Sequence, residues 1–230
     1  MYNNAIIYDR FQTLQTADSL LLELLFVSCE NILELACGTG RLYPIFKDKN
    51  YVGIDISTAM LNEFKNKYSP DFLICGDISR IPLKNVYDGL VLSLNSIHHL
   101  DDESLSLLLL EIDRVSTNGS ILAIEMTDFD KIPWVNGAFY SEYYEYATDA
   151  GMLLKQIVRK DDEDYLFERS YYQKDKLVYE ESSKLYSHSL SKLFYKLSEI
   201  KFKKIPKTTK SDNACIDGAL SIQTHIFVKK

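Results

Sequence analysis

The chain has 230 residues, 46% of them hydrophobic and 12% aromatic, and its 26 Lys and Arg against 33 Asp and Glu leave a formal charge of −7. A chain of this length can bury a core of its own, as one domain with a small insert, without metal or disulfide staples. Its acidity, with no basic run, provides no positive field to gather phosphate backbones or anionic lipid, so neither nucleic acid nor a membrane surface is expected as a partner.

In chain order, residues 16–27 carry apolar side chains at helical spacing, and five β-rich runs follow at 31–36, 51–56, 71–75, 87–94 and 120–126. Ser57 is placed to cap a helix running to about Lys67, and Asp101 or Asp102 one running to about Val115. Strands alternating with helices predict a parallel sheet covered on both faces. After Thr127 the texture changes. Runs at 152–160, 165–172 and 177–187, separated by polar clusters at 161–164 and 174–176, read as antiparallel strands. A helix at 189–200 capped by Ser189, then strands at 202–205 and 220–228, complete an α/β, doubly wound, mostly parallel sheet of seven strands. Residues 1–127 and 185–230 are expected to form the core, and 128–184 a small antiparallel β insert after strand five that lids the substrate side. The polar stretch 203–213 reads as a mobile hairpin connection.

Cys29, Cys37, Cys75 and Cys215 form no C-x-x-C pair, and with His98, His99, His188 and His225 they give no zinc-site spacing, so a reduced, metal-free chain is expected. No run is apolar enough to span a bilayer and the opening MYNNAIIYDR lacks the pattern of a signal peptide, which predicts a cytoplasmic protein. The acidic run at 161–164 lacks the alternating ligands and glycine of a calcium loop and reads as a solvated turn.

The strongest chemical signal is ILELACGTGR at 32–41, an apolar strand that ends in Glu34 and bends through Ala36, Gly38 and Gly40. Small residues there let backbone N–H groups approach a ligand at the carboxyl edge of the sheet. A dinucleotide fingerprint wants a third glycine where Tyr43 stands, which weakens a pyrophosphate reading. Asp55 closes the next strand, where a carboxylate can accept from both hydroxyls of a ribose; Asp77 closes the third, where one can accept from an exocyclic adenine amine. Three acidic strand ends suit a ligand with ribose and adenine but no phosphate, favouring S-adenosylmethionine over NAD.

ELACGTGR, GIDIS with Met60, GDIS and YDGLVLSLNSIHHL resemble the successive motifs of class I S-adenosylmethionine-dependent methyltransferases. MYNNAIIYD, SIHHL and the strand-rich insert are similar to the amino-sugar N,N-dimethyltransferases, whereas YDRFQTLQ resembles the opening of malonyl-carrier-protein O-methyltransferases. The resemblance implies that Glu34, Ala36, Gly38 and Gly40 surround the methionine part of the cofactor, Glu34 near its ammonium. By the same resemblance Asp55 takes the ribose, Ile56 and Met60 flank the adenine, and Asp77 with the backbone of Ile78 reads its edge. Leu94 and Asn95 then sit beside the sulfonium, and Tyr8, with Arg10 or Arg41, holds the methionine carboxylate. The superfamily often ends its late helix with Gly-Phe; Lys201 precedes Phe202 here, so a different helix cap is expected.

Each of these residues also has a plainer role. Asp55 and Asp77 can cap the elements that follow them, and capping can coexist with binding. His99, the histidine matching the S-I-x-H-L stretch, is the candidate base or positioning group, and His98 the weaker one. The aromatic run at 139–146 reads as packing first and as a lid second, its Glu142 and Glu145 suited to a cationic acceptor. Cys37 has nothing beside it to lower its pKa and reads as a small buried residue.

The expected activity is methyl transfer to a nitrogen or oxygen of a small molecule, a nucleotide-linked sugar or another polar metabolite, by a monomer or homodimer. Carboxylate O-methylation of the malonyl-carrier-protein type and a non-catalytic partner subunit are the alternatives. An NAD-dependent oxidoreductase lacks its Tyr-x-x-x-Lys relay, and a nucleic-acid base methyltransferase lacks the N/D-P-P-Y after strand four.

Overall fold

Runs too apolar to leave either face in water become the strands β1 (Asn31–Leu35), β2 (Asn50–Asp55), β4 (Tyr87–Leu92) and β5 (Ser116–Thr127), and the short β3 (Leu73–Cys75), only partly buried, adds the edge beside β2. The computed structural model describes residues 4–12, 19–145, 151–206 and 222–230. With β10 (Phe202–Lys204) and β11 (Ile222–Lys229) these strands form a seven-stranded sheet in the order β10-β11-β5-β4-β1-β2-β3. β1 to β5 pair in parallel; β11 runs antiparallel to β5, and β10 to β11.

Successive side chains of each strand feed opposite faces. Leu33, Leu35, Leu90, Leu92, Leu122 and Ile124 enter a core shared with α5 (Asp102–Arg114) and α6 (Leu190–Glu199). Ile32, Val91 and Ala123 enter a second core with Phe26, Phe46 and Phe64, beside α2 (Ser19–Leu25), α3 (Tyr43–Phe46) and α4 (Thr58–Tyr68). The sheet is therefore doubly wound. Ser57 caps α4 by accepting from the Met60 N–H at 3.3 Å, and Asp101 caps α5 by accepting from the Ser104 N–H at 2.8 Å. Ser189 precedes α6 without a side-chain cap.

Strand ends differ from the sequence reading for local reasons. β1 and β4 stop short because Ala36 (φ 56°), Leu94 (φ 47°) and Asn95 (φ 62°) take the left-handed conformation, which no strand accommodates. β5 begins at Ser116, ahead of the run expected at 120–126. The cap of α6 is not different after all: Lys201 adopts φ 67°, the left-handed position that glycine usually fills.

The insert is a four-stranded antiparallel sheet, β6 (Ala138–Glu145), β7 (Met152–Asp161), β8 (Asp164–Gln173) and β9 (Lys176–Leu185), in that order. β6 overlaps the run read as packing or lid; the alternation of buried Phe139 and Ser141 with exposed Tyr140 and Glu142 is the strand signal. The acidic run is the β7–β8 hairpin, turning at Asp162 with φ 53°. An N-terminal helix, α1 (Ala5–Gln12), not foreseen from the sequence, bridges the two sheets. Its Asp9 accepts from the Thr39 hydroxyl and pairs with Lys67 at 2.6 Å, while its Phe11 packs on Tyr171 of β8.

The start of the 16–27 helix, much of the 203–213 connection, Cys215 and Tyr146 lie outside the described residues. Among those described, Cys29, Cys37 and Cys75 are free thiols, no group of His, Cys, Asp and Glu is arranged to hold a metal, and no helix is long and apolar enough to cross a membrane.

Candidate functional site at the carboxyl rim

Parallel strands that all end on one side leave a crevice beyond their carboxyl ends, and here it is a cavity of about 180 Å³. The bend after β1 contributes Ala36 and Gly38; the end of β2 contributes Asp55, Ile56 and Ser57, with Met60 from α4. Gly76, Asp77 and Ile78 come from beyond β3, and Leu94, Ser96, His99 and Leu100 from beyond β4. Tyr8 on α1 closes the remaining side.

Asp55 Oδ2 accepts from the Gly38 N–H and Oδ1 from the Ser57 N–H, each at 2.8 Å, so one carboxylate joins the bend to the start of α4. Burial raises its pKa, against the pull of those two N–H groups. Asp77 Oδ1 accepts from both the N–H and the hydroxyl of Ser79 at 2.8 Å, capping the 3-10 turn Ile78–Arg80. Asp77 thus caps, as the plainer reading had it, whereas the cap of α4 is Ser57 and Asp55 braces the residue before the helix; both aspartates line the cavity.

The two glycines differ. Gly38 has φ 55° and nothing within 4 Å of where a Cβ would stand, so its bare face opens toward the site. At Gly40, with φ 80°, a Cβ would meet the Phe64 ring at 2.5 Å; this glycine lets the bend lie on α4 and does not line the cavity.

Of the other anticipated residues, Glu34, Arg41 and Asn95 stand behind the lining. Glu34 is 1% exposed and accepts from the Tyr51 hydroxyl at 2.7 Å; burial pushes its pKa up to about 7. Arg41 pairs with Glu125 at 2.8 Å, and the same carboxylate oxygen accepts from the Leu94 N–H at 3.1 Å. Asn95 Oδ1 accepts from the Thr127 N–H at 2.6 Å. These bonds hold Leu94 and Asn95 in their left-handed conformation at the rim. Arg10 turns to the insert and meets Met152 Sδ at 3.2 Å. Cys37 is buried, and burial raises its pKa well above the usual thiol value.

The two histidines separate cleanly. His98 is fully buried, with Nδ1 3.0 Å from the Tyr186 carbonyl oxygen and Nε2 3.2 Å from that of Thr127. It ties the end of β5 to the segment leaving the insert, and burial pushes its pKa down to about 4 against the pull of the two carbonyls. His99 reaches the cavity. Burial first, then the Arg169 guanidinium, push its pKa down to about 3, so the ring is neutral at ordinary pH. Ser57, anticipated only as a cap, and Gly76, Ser96 and Leu100 also line the cavity without having been assigned to the site; their place beside the acidic strand ends or within SIHHL was the available signal.

Residues 33–124 match the family described as a methyltransferase domain. A protein of Methanocaldococcus jannaschii is 32% identical over 124 residues, 50% of this chain and 52% of its own. The malonyl-[acyl-carrier protein] O-methyltransferase of Enterobacter lignolyticus is 27% identical over 136 residues, 57% of this chain and 53% of its own. The chain spans about half the length of the curated relatives it matches. Among solved structures, an amino pentose methyltransferase from Micromonospora echinaspora with S-adenosylmethionine bound superposes with a TM-score of 0.76 at 12% identity, over 95% of this chain and 92% of its own. The domain match falls on the motif-bearing stretch of the chain, and across nearly all of its length the chain shares the fold of solved S-adenosylmethionine-dependent methyltransferases, to which it is similar.

Proposed function

We propose that this chain transfers the methyl group of S-adenosylmethionine to a nitrogen or oxygen of a small polar acceptor, with nucleotide-linked sugars as a candidate class, by in-line displacement. The observation that carries this reading is the carboxyl-rim cavity, which gathers Asp55, Asp77 and the open face of Gly38 and has no Lys or Arg in its described lining. A ribose and an adenine fit such a donor set, whereas a pyrophosphate would meet carboxylates without a counter-charge. Ile56, an aliphatic side chain 65% exposed beside Asp55, is surface that a flat ring would cover.

When bound, the cofactor supplies a methyl already activated by its positive sulfur. What remains for the chain is to hold the reacting groups in line and exclude water. In this reading Asp55 holds the ribose through the lone pairs its two backbone bonds leave, Ile56 and Met60 flank the adenine, and Asp77 with the Ile78 N–H reads its edge. Ala36, Gly38 and Tyr8 accommodate the methionine end. Glu34 acts from behind the bend, its charge favoured by an approaching ammonium. The Arg41–Glu125 pair and Asn95 keep Leu94 at the reacting end. His99 positions the acceptor, or takes its proton when the acceptor is a hydroxyl. Residues 128–184 wall the acceptor side.

Carboxylate O-methylation is the second reading, favoured by the malonyl-carrier-protein relative. One experiment tests both: the purified chain is incubated with S-adenosylmethionine and a panel of amines, hydroxyl compounds, nucleotide sugars and carboxylates, and masses are recorded. Gains of one or two methyl units on an amine or hydroxyl support the proposal, gains on carboxylates alone favour the alternative, and cofactor binding with no acceptor modified points to a partner subunit.

A further inference from the structure

A parallel sheet has two rims, and the amino rim is hollow here as well. Where β1, β2 and β4 start, at Asn31, Asn50 and Tyr87, and just before β3, at Phe72, lies a cavity of about 430 Å³, against about 180 Å³ at the carboxyl rim. Its volume is that of a small-molecule site. The two cavities share no lining residue, so nothing in the methyltransferase reading occupies the second.

One wall of it is apolar: Val52, Ile74 and Leu83 are partly buried against the core, and the Phe72 ring, 66% exposed, adds surface that an apolar body would cover. Its polar groups are held in place. Lys49 Nζ donates to the Cys29 carbonyl at 2.6 Å and to the Val27 carbonyl at 3.2 Å; an ammonium has three N–H groups, so one is left for a ligand. Asn50 Nδ2 donates to Asn31 Oδ1 at 3.1 Å, joining two strand starts. Tyr87 is 4% exposed, and burial alone, with no bond to offset it, raises its pKa; its hydroxyl has no partner among the described residues. A buried donor left unsatisfied is costly, and a ligand acceptor would relieve it. Lys47 and Lys49 against Asp71 give the lining one net positive charge on a chain of −7. That suits a single carboxylate, whereas a phosphate dianion would stay under-neutralised.

One side chain joins the two rims. Tyr51 lines the amino-rim cavity, yet it passes over Gly53, where a Cβ would stand 2.9 Å from the Tyr51 hydroxyl, and that hydroxyl donates to Glu34 behind the cofactor bend at 2.7 Å. We propose that the amino-rim cavity is an effector site for an aromatic monocarboxylate, and that Tyr51 and Glu34 pass its occupancy to the cofactor rim. Lys49 and the Tyr87 hydroxyl take the carboxylate, and the aromatic body covers Phe72 and the apolar wall. A body packed on Tyr51 keeps its hydroxyl on Glu34 and so favours the charged carboxylate. In the methyltransferase reading, on which this coupling rests, that charge attracts the cofactor's ammonium.

The full chain is titrated with indole-3-propionate, its neutral amide and tryptamine, followed by ligand-observed NMR. A ligand of this size should bind with a Kd of about 1 mM or tighter, and the acid should exceed the amide and the amine by roughly tenfold or more. Lys49→Met should abolish that preference, and Phe72→Ala should weaken all three by about fivefold or more. Phe72 is an exposed ring and Lys49 a bonded cation, so the two variants do not share one reason to misfold. Calorimetry should then show S-adenosylhomocysteine binding about threefold or more tighter when the chain is saturated with indole-3-propionate, and unchanged by it in Tyr51→Phe, which keeps the ring and loses the hydroxyl. No saturable binding of the acid, binding indifferent to Lys49 and Phe72, or binding that leaves the wild-type affinity for S-adenosylhomocysteine unaltered would each overturn the proposal. Failure to bind S-adenosylhomocysteine at all would instead overturn the methyltransferase reading and the coupling with it, while the charge series still decides the cavity.

Discussion

Gly38 donates its backbone N–H to Asp55 at 2.8 Å, and the other oxygen of the same carboxylate takes the Ser57 N–H. The bend after β1 and the tip of β2 are therefore one unit, held from the side on which a ribose would bind. Asp55→Ala removes both bonds and the two hydroxyl contacts assigned to the ligand. Hydrogen bonds to a charged group are each worth about 1.5–3 kcal/mol, so the affinity for S-adenosylhomocysteine should fall by roughly a hundredfold or more. Titration calorimetry checks this; a loss under about fivefold would remove Asp55 from the ligand's contacts.

The paired glycines should respond differently to the same methyl. Gly40→Ala drives a Cβ into the Phe64 ring from a left-handed backbone, which overpacking and conformational cost together put at about 2–4 kcal/mol in denaturant unfolding. Gly38→Ala meets open space and should cost about 1–2 kcal/mol of stability, with its larger effect on cofactor affinity. Equal destabilisation by the two would contradict the assignment of Gly40 to packing and Gly38 to the site.

His99, held neutral by burial and by Arg169, should impose no acid limb near pH 6.5 on kcat/KM; activity limited by this ring should persist to pH 5. With a hydroxyl acceptor, His99→Gln should lose about 10²–10⁴-fold at neutral pH and recover part of it as alkali ionises the acceptor. With an amine acceptor the loss should be small and level across pH. A pH–rate series on both acceptor types separates these outcomes, and a level loss with a hydroxyl acceptor would leave His99 a positioning group.

Stability should peak close to pH 6.5. His98 and His99, held at about 4 and 3 against 6.5 in the unfolded chain, bind fewer protons when folded. Their stabilisation is complete above pH 6.5 and is lost as pH falls through those folded values. Glu34, raised to about 7 from 4.5, works the other way: its contribution is complete below pH 4.5 and is lost as pH rises through 7. Asp55, raised by burial, adds in the same sense as Glu34. Melting curves from pH 5 to 8 should show the wild-type chain losing stability above pH 6.5 and Glu34→Gln losing less; superimposable alkaline slopes would refute the buried-acid account.

Much of this architecture could be read from one sequence because period and punctuation agreed. Apolar runs ending in Glu34, Asp55 and Asp77 fixed the order of the rim, and Ser57 and Asp101 cap as their positions implied. Nine anticipated cofactor residues, from Tyr8 to Leu94, line the cavity together. What sequence could not supply was direction. Glu34 and Arg41 are near the bend in the chain yet point to Tyr51 and Glu125, because their partners come from other strands. Adjacent His98 and His99 look alike on paper, and only the 3-10 turn that carries them sends one into the core and one to the rim. β6 was obscured by aromatic density, and its pairing with β7 lies in cross-strand register, which no single strand reveals.

The central claim is that the carboxyl rim binds an adenosyl ligand bearing a sulfonium and no phosphate. Calorimetric titration of the folded chain with S-adenosylmethionine, S-adenosylhomocysteine and NAD tests it most directly. Saturable heat at one site per chain is predicted for the first two, abolished by Asp55→Ala, with none for NAD. Heat from NAD alone, or from none of the three on protein that melts cooperatively, would contradict the account.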